Sequence, residues 1–218
     1  MRFFFFFLFL SWGHLCFSGP HALVLKNQSV GKLKGHVVTL REVQINYAVE
    51  QALYSKPQKK SKIQIIQITD PRFSKEVTAV LMEWAIFLEA KNFRDSWEEA
   101  SDKEIVKAMN FVLPRLLSTK GWKKLGVRTF ELKQTLKRKL IAKAFIRFKL
   151  KASMVPITED EAQKYYEENK NKFGGAPYER FADSIKEFLK KQQRDQRLKD
   201  WFEVLQTKYK VENFMLTP

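Results

Sequence analysis

Apolar residues recur three and four positions apart along most of this chain, which is the spacing of one face of an α-helix. The stripe is widest in the segment that begins at Asp70-Pro71, a dipeptide typical of a helix start. Two further stripes follow over 102–117 and 129–151. The pattern predicts helices that begin near residues 39, 70, 102, 129, 158 and 177, the last running to about residue 207.

Short extended segments interrupt or flank these helices. Residues 29–39 read as two short strands around a turn at Lys34-Gly35, and residues 209–214 read as a terminal strand. Residues 63–68 are rich in isoleucine and predict either a short strand or the entry to a helix. The glycines of 121–126 predict a loop. The fold class is therefore mainly α, with a short N-terminal β-hairpin and a short C-terminal strand.

The N-terminus has the order of features of a secretory signal peptide. Met1-Arg2 carries positive charge, residues 3–10 form an unbroken apolar run, and small residues lead up to Ala22. We expect residues 1–22 to be removed and the protein to be periplasmic or otherwise exported. Cleavage after Ser18 is an alternative, and a lipoprotein modified at Cys16 is another.

Cys16, the one cysteine of the chain, lies inside the predicted signal peptide. The mature chain would therefore have no thiol for disulfides, catalysis or metal binding. Residues 23–218 are long enough for one elongated domain, and we also consider a division into 23–155 and 156–218.

The chain is strongly basic, with 40 Lys and Arg against 24 Asp and Glu and a net charge of +16. Such a surplus favours polyanionic partners. The helix over 133–151 contains no acidic residue, so it combines an apolar stripe with a basic remainder. It is either a core helix with a solvated basic face or a surface for polyanions. The candidate polyanion-binding residues are Lys133, Lys137, Arg138, Lys143 and Arg147.

Aromatic residues are more numerous than one helix stripe requires, especially near residues 91–97. Most are expected in the core, and any that stay exposed would form an apolar patch for protein segments. The candidate client-binding residues are Trp84, Phe87, Phe93, Trp97, Phe111, Phe145 and Phe148.

Candidate catalytic chemistry is sparse. His36 is the one histidine after the predicted signal peptide, and its position beside Gly35 predicts a solvated turn residue. A metal site, a Ser-His-Asp set and a phosphate-binding loop all lack the residues they need. We therefore predict no enzyme activity, no cofactor and no metal.

Three segments resemble the SurA-like and PrsA-like periplasmic chaperones. Residues 158–173 begin with a capping box, Thr158 with Glu161, carry Tyr and Phe on one side, and end at Gly174-Gly175. This helix is similar to the one that precedes the parvulin prolyl-isomerase domain in that family. Residues 29–39 resemble the family's opening hairpin, and 198–211 resemble its C-terminal helix and strand. The parvulin domain itself is missing here, because 174–177 lead directly into another helix.

The resemblance implies a helical chaperone core in which the N- and C-terminal segments pack together. It further implies an ATP-independent holdase that takes part in outer-membrane protein biogenesis. Such a holdase binds unfolded secreted or outer-membrane proteins in an apolar crevice. The alternative is a basic envelope protein that binds lipopolysaccharide, an anionic membrane surface or nucleic acid through helix 133–151. Export makes nucleic acid an unexpected partner.

Overall fold

The computed structural model of the protein describes residues 28–54, 63–93, 97, 99–153 and 155–216. The strands are β1 (Ser29–Leu33), β2 (His36–Thr39) and β3 (Glu212–Asn213). The α-helices are α1 (Leu40–Tyr54), α2 (Phe73–Asn92), α3 (Asp102–Leu117), α4 (Lys120–Leu125), α5 (Thr129–Ser153), α6 (Glu159–Glu168) and α7 (Ala182–Tyr209). The prediction of a mainly helical fold with an N-terminal hairpin and a short C-terminal strand is confirmed. The predicted signal peptide 1–22, with Cys16, lies outside the described residues.

The small sheet joins the two ends of the described chain. Its strand order is β2-β1-β3, and both pairings are antiparallel. Gly35 occupies the hairpin turn with φ of 79°, a left-handed conformation that favours glycine. The Lys34 amide also donates to the carbonyl of Tyr209 at 2.9 Å, and the Phe214 amide donates to the carbonyl of Val30 at 3.0 Å. The N- and C-terminal segments therefore pack together, as expected.

Two apolar cores share the long helix α5. The larger core lies between the sheet, α2, the middle of α5 and the end of α7, and includes Phe73, Leu81 and Phe145. The second core lies between α1, α3, α4 and the beginning of α5, and Trp122 is its largest buried side chain. Because α5 contributes Leu132 and Leu136 to one core and its next two turns to the other, it connects them rigidly.

A third, smaller cluster lies between α6 and the first half of α7. Tyr166 and Ile185 are buried in it, and the hydroxyl of Tyr166 donates to the carbonyl of Ala176 at 2.6 Å. The capping box of Thr158 and Glu161 forms as predicted, with both reciprocal hydrogen bonds present. The first half of α7 thus belongs to this cluster, while its last turns belong to the larger core.

Residues 63–68 form neither the strand nor the helix entry that their composition predicts. Side-chain amides take the place of a neighbouring strand. Gln51 donates to the carbonyl of Gln64 and accepts from its amide, and Gln44 donates to the carbonyl of Ile66. The isoleucines still contribute to the cores, since Ile66 is 2% exposed. Burial, rather than sheet formation, accounts for this composition.

Three further boundaries differ from the predictions. Residues 121–126 form not a loop but helix α4, which buries Trp122 and ends at Gly126 with φ of 58°. A 3-10 turn, Tyr178–Arg180, precedes α7, so the α-helix itself begins at Ala182. The terminal strand has two residues, because α7 continues to Tyr209.

Gly31 gives a test of how β1 holds β3 and α2 together. A Cβ atom at this position would lie 2.9 Å from the carbonyl oxygen of Glu212 and 2.9 Å from Cδ1 of Leu81. We expect Gly31→Ala to lower the free energy of unfolding by about 1–3 kcal/mol, because a backbone atom cannot move aside as a side chain can. Urea denaturation measures this, with Ser29→Ala as the control. Equal midpoints for the two variants would contradict the close packing.

Candidate functional site

An open groove of about 630 Å³ lies over the contact between α2 and α5. This volume is in the range of pockets that hold small ligands or short peptide segments. Four helices line the groove: α1 with Glu50 and Tyr54; α2 with Ala79, Met82, Glu83 and Ile86; α5 with Lys139, Ala142, Lys143, Ile146 and Arg147; and α7 with Phe202.

The floor of the groove is apolar. Met82, Ile86 and Ala142 are between 4% and 8% exposed, and Ile146 and Phe202 are partly buried beside them. Ala79 lies exposed at the α2 side. The small side chains of Ala79 and Ala142 leave open the space that larger residues would fill. An apolar ligand here would gain about 25 cal/mol for each Å² removed from water.

A buried network of charges lies beside one end of the groove. Glu83 on α2 accepts from two cations of α5: Nε of Arg138 at 2.7 Å and Nζ of Lys139 at 2.8 Å. Arg138 also donates to Glu42 on α1 at 2.9 Å, and Lys139 to Glu50 at 2.6 Å. These ion pairs connect the three helices. The side chains of Arg138, Lys139 and Glu83 are 6%, 9% and 11% exposed.

The network keeps its members charged. Burial alone would raise the pKa of Glu83, but the positive charges of Lys139 and Arg138 outweigh burial and lower it. Burial likewise opposes the charge of Glu42, and the hydrogen bond from His36 and the charge of Arg138 lower its pKa overall. For Lys139, the attraction of Glu83 and Glu50 outweighs burial and raises the pKa.

Trp84 packs against the side chains that surround Glu42 and donates one of the hydrogen bonds to it. Its indole Nε1 donates to Glu42 at 2.5 Å, and the guanidinium of Arg138 lies 4.3 Å from its ring. The ring of His36 is 4.0 Å from that of Trp84, and its Nε2 is 3.4 Å from Glu42. The prediction of a solvated turn histidine is therefore wrong: His36 lies in β2 and packs on an aromatic ring.

Cations form the α5 rim of the groove. Lys143 and Arg147 are exposed and lie one helical turn apart. Nζ of Lys143 is 3.1 Å from the hydroxyl oxygen of Tyr54 and 4.3 Å from the centre of its ring. Among the described residues, neither cation lies within ion-pair distance of a carboxylate, but Arg147 is near enough to Glu104 on α3 to add to the effect of the Ser101 hydrogen bonds that lower the pKa of that carboxyl. The rim is thus positively charged, in contrast to the neutralised network around Lys139.

The predicted client-binding aromatics do not lie in this groove. Phe145 is completely buried and is surrounded by Phe93, Trp97, Phe148 and Trp201, with ring centres 5.2–6.0 Å away. Phe145 cannot contact a client, so its prediction is wrong. Its neighbours form the outer layer of the larger core, which explains the aromatic surplus near residues 91–97.

The other predicted aromatics, Trp84, Phe87 and Phe111, lie outside this cluster. Trp84 is held by Glu42, and Phe87 packs edge-on against it with ring centres 5.7 Å apart. Phe111 alone among the seven is more than a third exposed, at 48%, and it lies on α3 beneath the guanidinium of Arg115. The seven residues therefore do not form one surface.

The five predicted polyanion-binding residues separate into three groups. Lys143 and Arg147 line the groove. Lys133 and Lys137 lie earlier on α5, outside the groove lining. Arg138 is 5% exposed and engaged with Glu42 and Glu83, so it is a structural residue and its prediction as a surface cation is wrong.

Sequence reasoning did not identify the groove floor. The apolar helix faces include the floor residues Met82, Ile86, Ala142 and Ile146. The periodic pattern does not indicate which part of such a face a neighbouring helix leaves uncovered. The one usable signal is Ala142 beside Lys143 on a helix whose other apolar positions are mostly large, because a small residue next to a cation indicates a gap at the edge of the core.

The described part of the chain lacks two further features, a metal-binding cluster and a membrane-spanning helix. It contains no group of three or more His, Cys, Asp or Glu that could hold a metal ion. None of its helices is long and apolar enough to cross a membrane.

Removal of one acid should show how much the buried network contributes. We expect Glu83→Gln to lower the free energy of unfolding by about 3 kcal/mol, because it leaves two buried cations without their shared carboxylate. The control is Glu187→Gln, whose side chain is 75% exposed and pairs with Lys190 on the same helix. A change below about 0.5 kcal/mol is expected there. Similar urea midpoints for both variants would contradict a structural role of the network.

The same network predicts a particular pH dependence. The lowered pKa values of Glu42 and Glu83 mean that their stabilisation is present above the ordinary value of 4.5 and is lost as the pH falls through the lower folded value. The raised pKa of Lys139 means that its stabilisation is present below 10.5 and is lost as the pH rises through the higher folded value. Urea midpoints across the pH range should therefore converge for wild type and Glu83→Gln in acid. A constant difference down to the lowest pH would refute this account.

Comparison with protein families, with curated proteins and with solved structures finds no match for this chain. Its resemblance to SurA-like chaperones remains a prediction from the sequence. Functional inference therefore depends on the groove and on the charges around it.

Proposed function

We propose that the protein is an ATP-independent holdase chaperone that binds unfolded segments of secreted or outer-membrane proteins in the groove over α2 and α5. The observation that carries this proposal is the apolar floor of the groove, in which the partly exposed Ile146 and Phe202 lie beside the buried Met82, Ile86 and Ala142. Non-directional apolar contact suits clients of varied sequence, because it needs no particular hydrogen-bond pattern.

The dimensions of the groove support weak and reversible binding. Its α5 wall runs from Lys139 to Arg147, or about 12 Å at 1.5 Å per helical residue. An extended polypeptide covers that length with about four residues. So small a contact cannot give tight binding once the cost of ordering the segment is subtracted. A holdase of this kind releases its client without an energy source.

The proposed location and partners follow from the sequence. The predicted signal peptide 1–22 would bring the protein to the periplasm, where unfolded outer-membrane proteins are the clients we expect. We propose binding without catalysis, because residues 174–177 lead toward another helix at the place where the SurA-like family has its parvulin domain. An anionic membrane surface is a further partner consistent with the net charge of +16.

The alternative is a basic envelope protein that binds a polyanion through α5. It is favoured by the exposed Lys133, Lys143 and Arg147 and the partly exposed Lys137, although burial of Arg138 removes the middle of the predicted surface. Polyanion binding depends on counterion release and falls steeply with salt, whereas apolar binding does not. Salt dependence therefore separates the two functions.

Blocking the groove tests the proposal. We expect the protein to suppress aggregation of a denatured outer-membrane β-barrel, followed by light scattering, at both low and high salt. Ala79→Trp should reduce this suppression several-fold, because the exposed position 79 would carry a large side chain into the groove without removing a core contact.

The matched control is Ala152→Trp, an equally exposed alanine on α5 outside the groove lining. It adds the same apolar surface and should leave suppression unchanged. Equal suppression by both variants would place client binding elsewhere on the molecule. Suppression that disappears at high salt would favour the polyanion alternative.

A further inference from the structure

We propose that the groove selects client segments in which apolar residues adjoin acidic ones, and that Lys143 and Arg147 bind the acidic residues through ion pairs. This inference rests on the proposed function, because it specifies which unfolded segments the same groove prefers. It assigns a specificity-determining role to two residues of the α5 rim.

The distribution of charge along the groove has a direction. At one end, Lys139 is 9% exposed at its side chain and is neutralised by Glu50 at 2.6 Å and Glu83 at 2.8 Å. Toward the other end, one and two helical turns further along α5, lie Lys143 and Arg147. Neither lies within ion-pair distance of a described carboxylate, and Glu104, whose pKa the charge of Arg147 helps to lower after the hydrogen bonds from Ser101, lies outside the groove lining. The positive charge that a ligand meets is therefore concentrated at the far end of the groove.

The two rim cations lie on the same side of the helix, one turn apart. Like charges at this spacing repel each other, and an acidic ligand between them would relieve the repulsion. Tyr54 holds the ammonium of Lys143 over its ring, at 4.3 Å, and so limits the positions that this side chain takes. A carboxylate that binds over the floor can therefore accept a hydrogen bond from an ammonium group whose position is already restricted.

The same geometry favours a polypeptide over an anionic lipid. Glu50 is 48% exposed at its side chain and stands at the Lys139 end of the groove. An acyl chain with its head group at Arg147 would place its apolar end against this carboxylate and remove water from its exposed half, which the single ion pair with Lys139 only partly offsets. A polypeptide can instead place a polar backbone group or a polar side chain beside Glu50, at the end of the apolar floor. The occupant is therefore a short peptide segment with an apolar middle and acid on one side.

The experiment uses fluorescent peptides that share one apolar core and carry two aspartates, two asparagines or two lysines beside it. One set carries them on the N-terminal side of the core and a second set on the C-terminal side. Fluorescence anisotropy at low salt measures binding to the wild-type protein. We expect the aspartate peptide of one set to bind about tenfold more tightly than its asparagine counterpart, from two exposed ion pairs. The difference should shrink at high salt, while binding of the asparagine peptide persists.

Charge reversal gives the decisive comparison. The double variant Lys143→Glu/Arg147→Glu should reverse the order, so that the lysine peptide binds most tightly. The matched control Lys133→Glu/Lys137→Glu makes the same change of net charge on the same helix outside the groove, and should keep the wild-type order. All four residues are at least partly exposed, so urea midpoints near that of wild type will confirm that both variants fold.

Three results would overturn the inference. Equal binding of the aspartate and asparagine peptides to wild type would leave a holdase without charge selection, which separates this failure from failure of the proposed function. If both double variants lose the preference for the aspartate peptide and polyphosphate competes for binding, the preference comes from the overall positive charge and not from Lys143 and Arg147. Absence of binding by every peptide, with no suppression of aggregation, would refute the groove as a client site.

Discussion

Burial of charged groups between α1, α2 and α5 is the constraint on which the arrangement of this protein depends. Arg138 and Lys139 are adjacent on α5, so their side chains leave the helix in different directions and need acids from two other helices. Glu83 supplies one carboxylate oxygen to each. A shift of any of the three helices by one turn would leave buried charges unpaired, which costs several kcal/mol. The network thus selects one packing among the many that apolar stripes alone would permit.

The groove is a consequence of that packing. With Glu83 held against Lys139, α2 and α5 lie side by side, and Met82, Ile86 and the small side chain of Ala142 line the groove along their contact. The large aromatics are used elsewhere, around Phe145, where they complete the core toward α7. The small side chain of Ala142, about one turn before the bulky Phe145, therefore leaves an apolar surface open beside Lys143.

Periodicity and local signals sufficed for most of the fold. Helix α5, the hairpin turn at Gly35 and the capping box of Thr158 follow from interactions within a few residues, and these predictions are confirmed. Errors arose where a distant partner decides the outcome. The backbone of Gln64 and Ile66 forms hydrogen bonds with glutamine side chains of α1, and Arg138 pairs with acids far away in the chain. One helix face gives no information on which of its cations will be buried, so the site was predicted only in part, through Lys143 and Arg147.

The pairing of β1 with β3 has a consequence for the order of folding. Gly31 and Lys32 acquire their second neighbouring strand from residues 212–213, at the far end of the described chain. Because this pairing spans almost the whole described chain, its loop closure has a large entropy cost, and it raises the contact order. The hairpin and the larger core must therefore wait, incompletely covered, until α7 and the residues after it have been synthesised. The sheet therefore reaches its full width only when the C-terminal segment is in place, so its completion is a late step of folding that fastens the two ends of the described chain to each other.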